Sequence, residues 1–435
     1  MMRVCVQGLW HLGSVTAACL AACGHDVSGL DDDMVTIEKL KLGKAPLFEP
    51  GLDDLLLAGI DQGRLHFHSS PAQALAGAEV MWVTFDTPVD DDQADVAFVL
   101  GQVKLALPHL GDGALVLVSS QMPVGSVRAL ETFSEQLLPD KKFEFACSPE
   151  NLRLGKAIEI FSNPDRIVLG VRTLRARQVL QKLLAPITDQ VEWMSVESAE
   201  MTKHAINAFL ATSVTFANEV AAICELVGAD AKEVERGLKT EARIGPKAYL
   251  SPGGPFAGGT LARDIEFLSV ESRAHHLVTP LLSAVRPSND EHKHWGKRKL
   301  LRQFGSLGSV AIAVWGLTYK PGTDTLRGSL AVELCDWLLS QGASVRAYDP
   351  EVKDIPQRWS GRLTRHTTAL EAVSGADALV VGTEWPVLRQ AAAFLEAHAK
   401  PTLVVVDANR YLQAQLAQTR FKYIAVGTPL MGGSA

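Results

Sequence analysis

Short apolar runs alternate with longer stretches of helical period along most of the chain. The first, Arg3-Val4-Cys5-Val6-Gln7, is followed by helical sequence and then by Asp26-Val27-Ser28-Gly29-Leu30; similar runs recur at 80–85, 115–119, 143–147 and 166–170. Such runs, spaced by helical sequence, predict strands of a parallel sheet covered on both faces. The stretch 195–229 differs: Ala205, Ile206, Phe209, Leu210, Val214, Ala217, Val220, Ala221 and Ile223 recur at three- and four-residue spacing, with no Pro or Gly before Gly228. It predicts one long helix, amphipathic to buried. Further helices are expected from 261 and over 277–302, the second broken or kinked at Pro287. Past Gly308 the strand and helix rhythm returns, with strands at 310–315, 344–348, 378–382 and 403–406 and a helix at 329–340. The fold class is therefore α/β, as two doubly wound Rossmann-like domains joined by a long central helix, divided at 1–194, 195–303 and 304–435.

The first strand runs into Gly8-Leu9-Trp10-His11-Leu12-Gly13, and the second ends at Asp31. A glycine turn that opens a helix, with an acid closing the next strand, is a dinucleotide-binding pattern. The pyrophosphate sits at the helix N-terminus and the acid takes a ribose hydroxyl, which favours NAD over its 2'-phosphorylated form. Trp10 stands where the pattern has its second glycine, the residue that lets backbone approach the pyrophosphate. A shifted or weakened cofactor pose is expected there. Three later strands end in polar or proline-bearing loops, Asp86-Thr87-Pro88, Ser119-Ser120-Gln121-Met122-Pro123 and Ser148-Pro149-Glu150-Asn151. Ligands collect at the carboxyl ends of such strands, so Thr87 and Ser120 join the cofactor candidates.

Around 242–260 the sequence becomes rich in glycine and proline, from Arg243-Ile244-Gly245 through Tyr249-Leu250-Ser251-Pro252-Gly253-Gly254 to Gly259-Thr260. That composition favours a backbone that wraps a ligand closely. On the long helix, Glu200, Lys203 and Asn207 project from one face at successive turns. By themselves they read as a solvated pair with an amide beside it.

Bulk properties narrow the field. The 435 residues exceed one ordinary core, and a net charge of −7 gives no field for nucleic acid. The six cysteines contain no CxxC pair and read as reduced, in keeping with a cytoplasmic protein. No signal peptide and no run approaching a membrane span are expected. His66/His68 and His292/His294 have no completing ligand at fitting spacing, so no metal is expected.

Over essentially its full length the chain resembles the UDP-glucose/GDP-mannose 6-dehydrogenases. The matching runs include Phe48-Glu49-Pro50-Gly51-Leu52, Pro149-Glu150-Asn151-Leu152-Arg153, Ala199-Glu200-Met201 with Lys203, Asn207-Ala208-Phe209-Leu210, Asn218-Glu219, Arg243-Ile244-Gly245, Thr323-Asp324 with Arg327, Ala347-Tyr348-Asp349-Pro350 and Thr383-Glu384-Trp385. The resemblance implies oxidation of the C6 alcohol of a nucleotide sugar, UDP-hexose foremost, to the acid with two NAD reduced. It further implies a cofactor domain, a central helical domain that forms a homodimer core, and a nucleotide-sugar domain. Lys203 would stabilise the C6 oxyanion and Asn207 would hold that oxygen or a water. Asp264 would pass a proton through water, and Glu150 would act in the aldehyde and hydrolysis steps. Leu152, Tyr249, Ser251 and Gly253 would line the substrate, Lys320 would meet its phosphates, Arg327 would reach the cofactor, and Arg243 would serve the partner subunit.

The departures sit in the chemistry. The family loop GFGGSCFPKD carries the nucleophilic cysteine; here Thr260 holds that place and Arg263 that of the loop lysine. A thiol of pKa ~8.5 can be made a thiolate by its neighbours. An alcohol needs a strong adjacent base. Gln121 replaces the family's water-positioning threonine, and Leu154 the second acid of the Pro-Glu loop. Cys147 lies near that loop but reads as packing. The expected activity is thus a first oxidation whose course after the aldehyde is arrested or altered. Two other readings stay open, a degenerate binding subunit and a redox-neutral epimerase with bound NAD.

Overall fold

A computed structural model describes residues 1–429 except 88, 91, 92, 151 and 258; Pro88 and Asn151, named above, and Gly258 of the glycine-rich stretch lie outside the described residues. The chain forms two compact units, 1–206 and 207–435, whose boundary falls inside the long helix Val196–Val227.

The first unit is built on an eight-stranded sheet. Its order is Val191–Met194, Ile167–Val171, Glu144–Cys147, Leu115–Val118, Val80–Val83, Arg3–Gln7, Asp26–Leu30, Leu65–His68. Apolar clusters cover both faces, as the continuous apolar runs require. One pairing departs from expectation, because Ile167–Val171 runs antiparallel to Glu144–Cys147. The connection between them holds only the six-residue helix Ala157–Ser162. The chain thus re-enters the sheet from the end at which Glu144–Cys147 leaves it. The short edge strands Leu65–His68 and Val191–Met194 lack the apolar density that would announce them.

Arg3–Gln7 pairs on either side with Asp26–Leu30 and Val80–Val83, which opens a crevice at its carboxyl end. Gly8 turns the chain there with φ +91°, and Gly13 lies so close beneath that a Cβ on it would come within 1.8 Å of the Gly8 oxygen. The Gly8 N–H donates to the Leu30 carbonyl (2.9 Å) and the Leu9 N–H to the Asp31 carboxylate (2.6 Å).

The second unit repeats this turn. Its six-stranded parallel sheet runs Leu363–Arg365, Ser344–Tyr348, Ala311–Trp315, Ala378–Val381, Val404–Val406, Lys422–Ile424. Gly316 turns with φ +86°, its N–H donates to the Tyr348 carbonyl (2.8 Å), and the Leu317 N–H donates to Asp349 (2.7 Å). Here, however, Asp349 is only 1% exposed and also accepts from the Trp385 indole at 3.1 Å. In this copy the Trp385 indole covers the acid.

Two helical expectations change. Pro287 lies inside the helix Pro280–Lys293, and the break comes at His294, before Trp295–Phe304. Val285, Asn289 and His292 are buried on that helix and hold it together across the proline. The long helix buries the polar residues Glu200, His204, Asn207, Ser213, Thr215, Asn218 and Glu225 beside small apolar ones such as Ala199, Ala208, Ala211 and Ala221, while Phe209 and Ile223 of the apolar set are exposed. By length and composition it could cross a membrane, contrary to expectation, yet half of its most apolar window is buried within the fold.

Replacing Gly13 by Ala drives a methyl group into main chain that cannot move. It is expected to destabilise the first unit by about 3 kcal/mol. Urea unfolding checks this, and a midpoint equal to that of the parent would contradict the packing.

Candidate active site

In the first unit the helix His11–Ala22 begins at Trp10 with no side-chain cap and no acid in its first turn. Its leading N–H groups are therefore available to an anion. Trp10 has φ −69°, which any residue adopts, and its ring is half-exposed. Leu12 and Gly13 are buried beneath. His11 donates through Nε2 at 2.9 Å to Glu49, whose carboxylate also accepts from the N–H groups of Gly155 (2.7 Å) and Ala157 (2.8 Å). Burial opposes ionisation of Glu49, but these hydrogen bonds outweigh it and its pKa lies below the ordinary range. Glu49 thus ties the glycine turn to the segment that follows the Pro-Glu loop. Burial pushes the Asp31 carboxyl up, against the Leu9 and Asp33 N–H groups.

The neighbouring strand ends close around the same crevice. Thr87 donates to the Gln121 carbonyl (2.7 Å), and Ser119 to that of Ser148 (2.7 Å). The buried Ser120 hydroxyl has no protein partner. An uncapped helix start, a ribose-facing acid and an orphaned hydroxyl fit a dinucleotide.

Lys203 donates to the main-chain carbonyl of Glu150 at 2.6 Å. The Glu150 carboxylate accepts from the Leu152 N–H. Burial raises its pKa to about 7, with Lys203 lowering and Asp86 raising it. Glu200, undecided from sequence, accepts from the N–H groups of Gly125 (2.7 Å) and Val127 (3.0 Å) and so caps the helix Ser126–Leu137. It is a helix cap, not a solvated partner of Lys203. Cys147 is buried beside Glu200, and burial holds its thiol well above the usual range. It is no substitute nucleophile.

In the second unit, Asn207 donates to the fully buried carboxylate of Asp264. Thr260 opens the helix Thr260–Ala274, exposed at its uncapped end. The segment 250–257 is gripped by side chains. Asn218 accepts from the Gly253 N–H (2.9 Å), His292 bonds the Gly253 carbonyl (2.7 Å), and Asn409 accepts from the Gly254 N–H (2.6 Å). Asn289 takes both main-chain groups of Phe256, and Ser251 donates to Glu235 at 2.5 Å. Tyr249 is exposed, and so is Arg243, which pairs with Glu241. Arg327 borders a cavity of about 360 Å³ with Ser329, Asp336 and Arg358, and Lys320 is not among its lining residues. Glu49, Glu235, Asn289 and Asn409 hold these segments in place, contacts that the sequence reading did not assign. His292, considered there as a metal ligand, instead holds main chain.

Comparison with known proteins gives these arrangements a family. Residues 2–188, 197–291 and 313–414 match, in order, the NAD binding, central and UDP binding domains of the UDP-glucose/GDP-mannose dehydrogenase family. The chain is 34% identical to a UDP-glucose 6-dehydrogenase of Pseudomonas aeruginosa over 99% of its length and 98% of the relative's. It is likewise 34% identical to one of Rhizobium meliloti, covering 98% and 100%. A solved UDP-glucose dehydrogenase of Pyrobaculum islandicum superposes with a TM-score of 0.86 at 27% identity, covering 98% of each chain. With all three domains matched in order, the chain belongs to the UDP-glucose/GDP-mannose dehydrogenase family, as an NAD-dependent enzyme of the nucleotide-sugar dehydrogenase type.

Proposed function

We propose that this enzyme oxidises the C6 alcohol of a UDP-hexose to the aldehyde and that its course after the aldehyde is arrested or altered. The observation that carries this reading is the spacing of Lys203 and Asn207, one helical turn apart, with Asn207 fixed by the buried Asp264. When bound, NAD supplies the hydride acceptor; Gly8, Trp10, His11, Leu12, Gly13, Asp31, Thr87 and Ser120 hold it, with Arg327 reaching toward it. Lys203 leaves the Glu150 carbonyl for the C6 oxygen and stabilises the charge that grows as the hydroxyl proton departs. Asn207 donates to the same oxygen, and Asp264 receives the proton through water. Leu152, Tyr249, Ser251, Gly253 and Lys320 contact the nucleotide sugar. Thr260 carries no group that becomes a nucleophile near neutral pH, so the covalent thiol route is closed.

The work divides at 1–194 for the cofactor, 195–303 for reaction and self-association, and 304–435 for the nucleotide sugar. Phe209, Phe216 and Ile223 recur every seventh residue on the outer face of the long helix, each about half exposed or more, which supports a homodimer. All six cysteines are free, in keeping with a cytoplasmic location.

Incubation with UDP-glucose, a UDP-N-acetylhexosamine or GDP-mannose plus NAD is expected to yield one NADH per sugar and an aldehyde. Two NADH with acid product would overturn the reading of Thr260. Thr260→Cys, which places a thiol in the first turn of a helix, is expected to raise acid formation; an unchanged product ratio would shift the block to Gln121 and Leu154. Glu150, whose role falls after the aldehyde, holds its proton below about 7, so acid formation by Thr260→Cys is expected to climb as pH rises through that value and to lose this limb when Glu150→Gln is added. A limb that survives the substitution removes Glu150 from the chemistry. Phe216→Glu is expected to convert the dimer to monomer by sedimentation, and a parent already monomeric would refute self-association through this face.

A further inference from the structure

Trp10 differs from the other tryptophans of the chain. Trp82, Trp295, Trp315, Trp359 and Trp385 each donate the indole N–H to a protein acceptor, and Trp193 and Trp337 each lie beneath a cation. Among the described residues the Trp10 indole has neither kind of partner, and it is 49% exposed. A ring of this size is seldom left half in water with its N–H unpaired. The main chain around it is pinned. Asp31 holds the Leu9 N–H, Glu49 holds the His11 imidazole, and the Trp10 carbonyl accepts from both the N–H (3.0 Å) and the hydroxyl of Ser14. The two flanking glycines also keep their fingerprint roles, Gly8 at positive φ and Gly13 packed against the Gly8 oxygen. Position 10 therefore keeps the place at which main chain of this fold approaches a pyrophosphate, but there it carries an indole.

We propose that the Trp10 indole is itself a contact of the bound dinucleotide, lying against the pyrophosphate and donating its Nε1–H to it. This rests on the reading of 8–13 as the cofactor turn. The domain that holds the turn matches an NAD binding domain, so a ring standing in the cofactor's path has to meet the cofactor. Pinned on both sides, the main chain has little room to carry the ring away. The chemistry is complementary, because an indole N–H only donates and a pyrophosphate oxygen only accepts. A hydrogen bond to a charged group is also stronger than one between neutral partners. The side chain thereby supplies the contact that a glycine would have left to the backbone.

Calorimetry with NAD, without sugar, distinguishes a contact from an obstruction. Trp10→Ala is expected to weaken NAD about tenfold with an unchanged urea midpoint. Trp10→Phe, which keeps a ring but no N–H, is expected to weaken NAD about threefold, and it serves if the alanine variant fails to fold. Asp31→Ala reports on the turn independently and is expected to weaken NAD as well. If Asp31→Ala weakens NAD while Trp10→Ala leaves it unchanged or tightens it, the indole is a bystander or an obstruction and the inference is overturned. Trp10→Phe binding as tightly as the parent overturns the donated N–H. If neither Asp31→Ala nor Trp10→Ala changes affinity, or the parent binds no NAD, the reading of the turn fails instead.

Discussion

A buried polar face on the long helix is the constraint on which the rest depends. Glu200, His204, Asn207, Asn218 and Glu225 each meet a partner distant in sequence: the N–H groups of Gly125 and Val127, the Met122 carbonyl, Asp264, the Gly253 N–H, and the Trp295 indole with the Gly427 N–H. Leaving one such group unpaired costs about 1–3 kcal/mol, so a slip of one residue along the helix would forfeit most of them together. The positions of Lys203 and Asn207 are consequences of that register. Their separation, about 6 Å along the axis, is a property of the α-helix and needs no further adjustment.

Carboxylates do much of the structural work around the chemistry. Glu49 and Glu200 each accept two main-chain N–H groups at the start of a helix, and Asp31 and Asp349 each accept from the residue after a glycine turn. The two turns share geometry and diverge in exposure. Asp31 keeps access to a ligand, whereas Asp349 is covered by Trp385. The same glycine-and-acid pattern thus ends in a partly exposed carboxylate in one unit and a buried one in the other.

Much of the fold could be read directly. Apolar runs predicted most central strands, and Gly8, Gly13 and Asp31 predicted the switch-point turn, because a strand buried on both faces and a positive φ leave marks in the residue types themselves. Pairing direction did not follow, since the connection 148–166 is long enough for either direction and no residue type marks the choice. The inward face of the long helix did not follow either. Periodicity locates apolar residues, but Asn218 and Glu225 are buried on account of partners distant in sequence. The same holds at the site, where Lys203 and Asn207 were visible as a motif while Glu49, Asn289 and Asn409 act on main chain, a role that no residue type advertises.

The loop 250–257 has no repeating secondary structure, yet its main chain at Gly253, Gly254 and Phe256 is as fully bonded as that of a strand in a ladder. Its conformational entropy was surrendered when the chain folded. A ligand arriving at such a surface does not have to order it, so affinity is not drained by immobilising backbone.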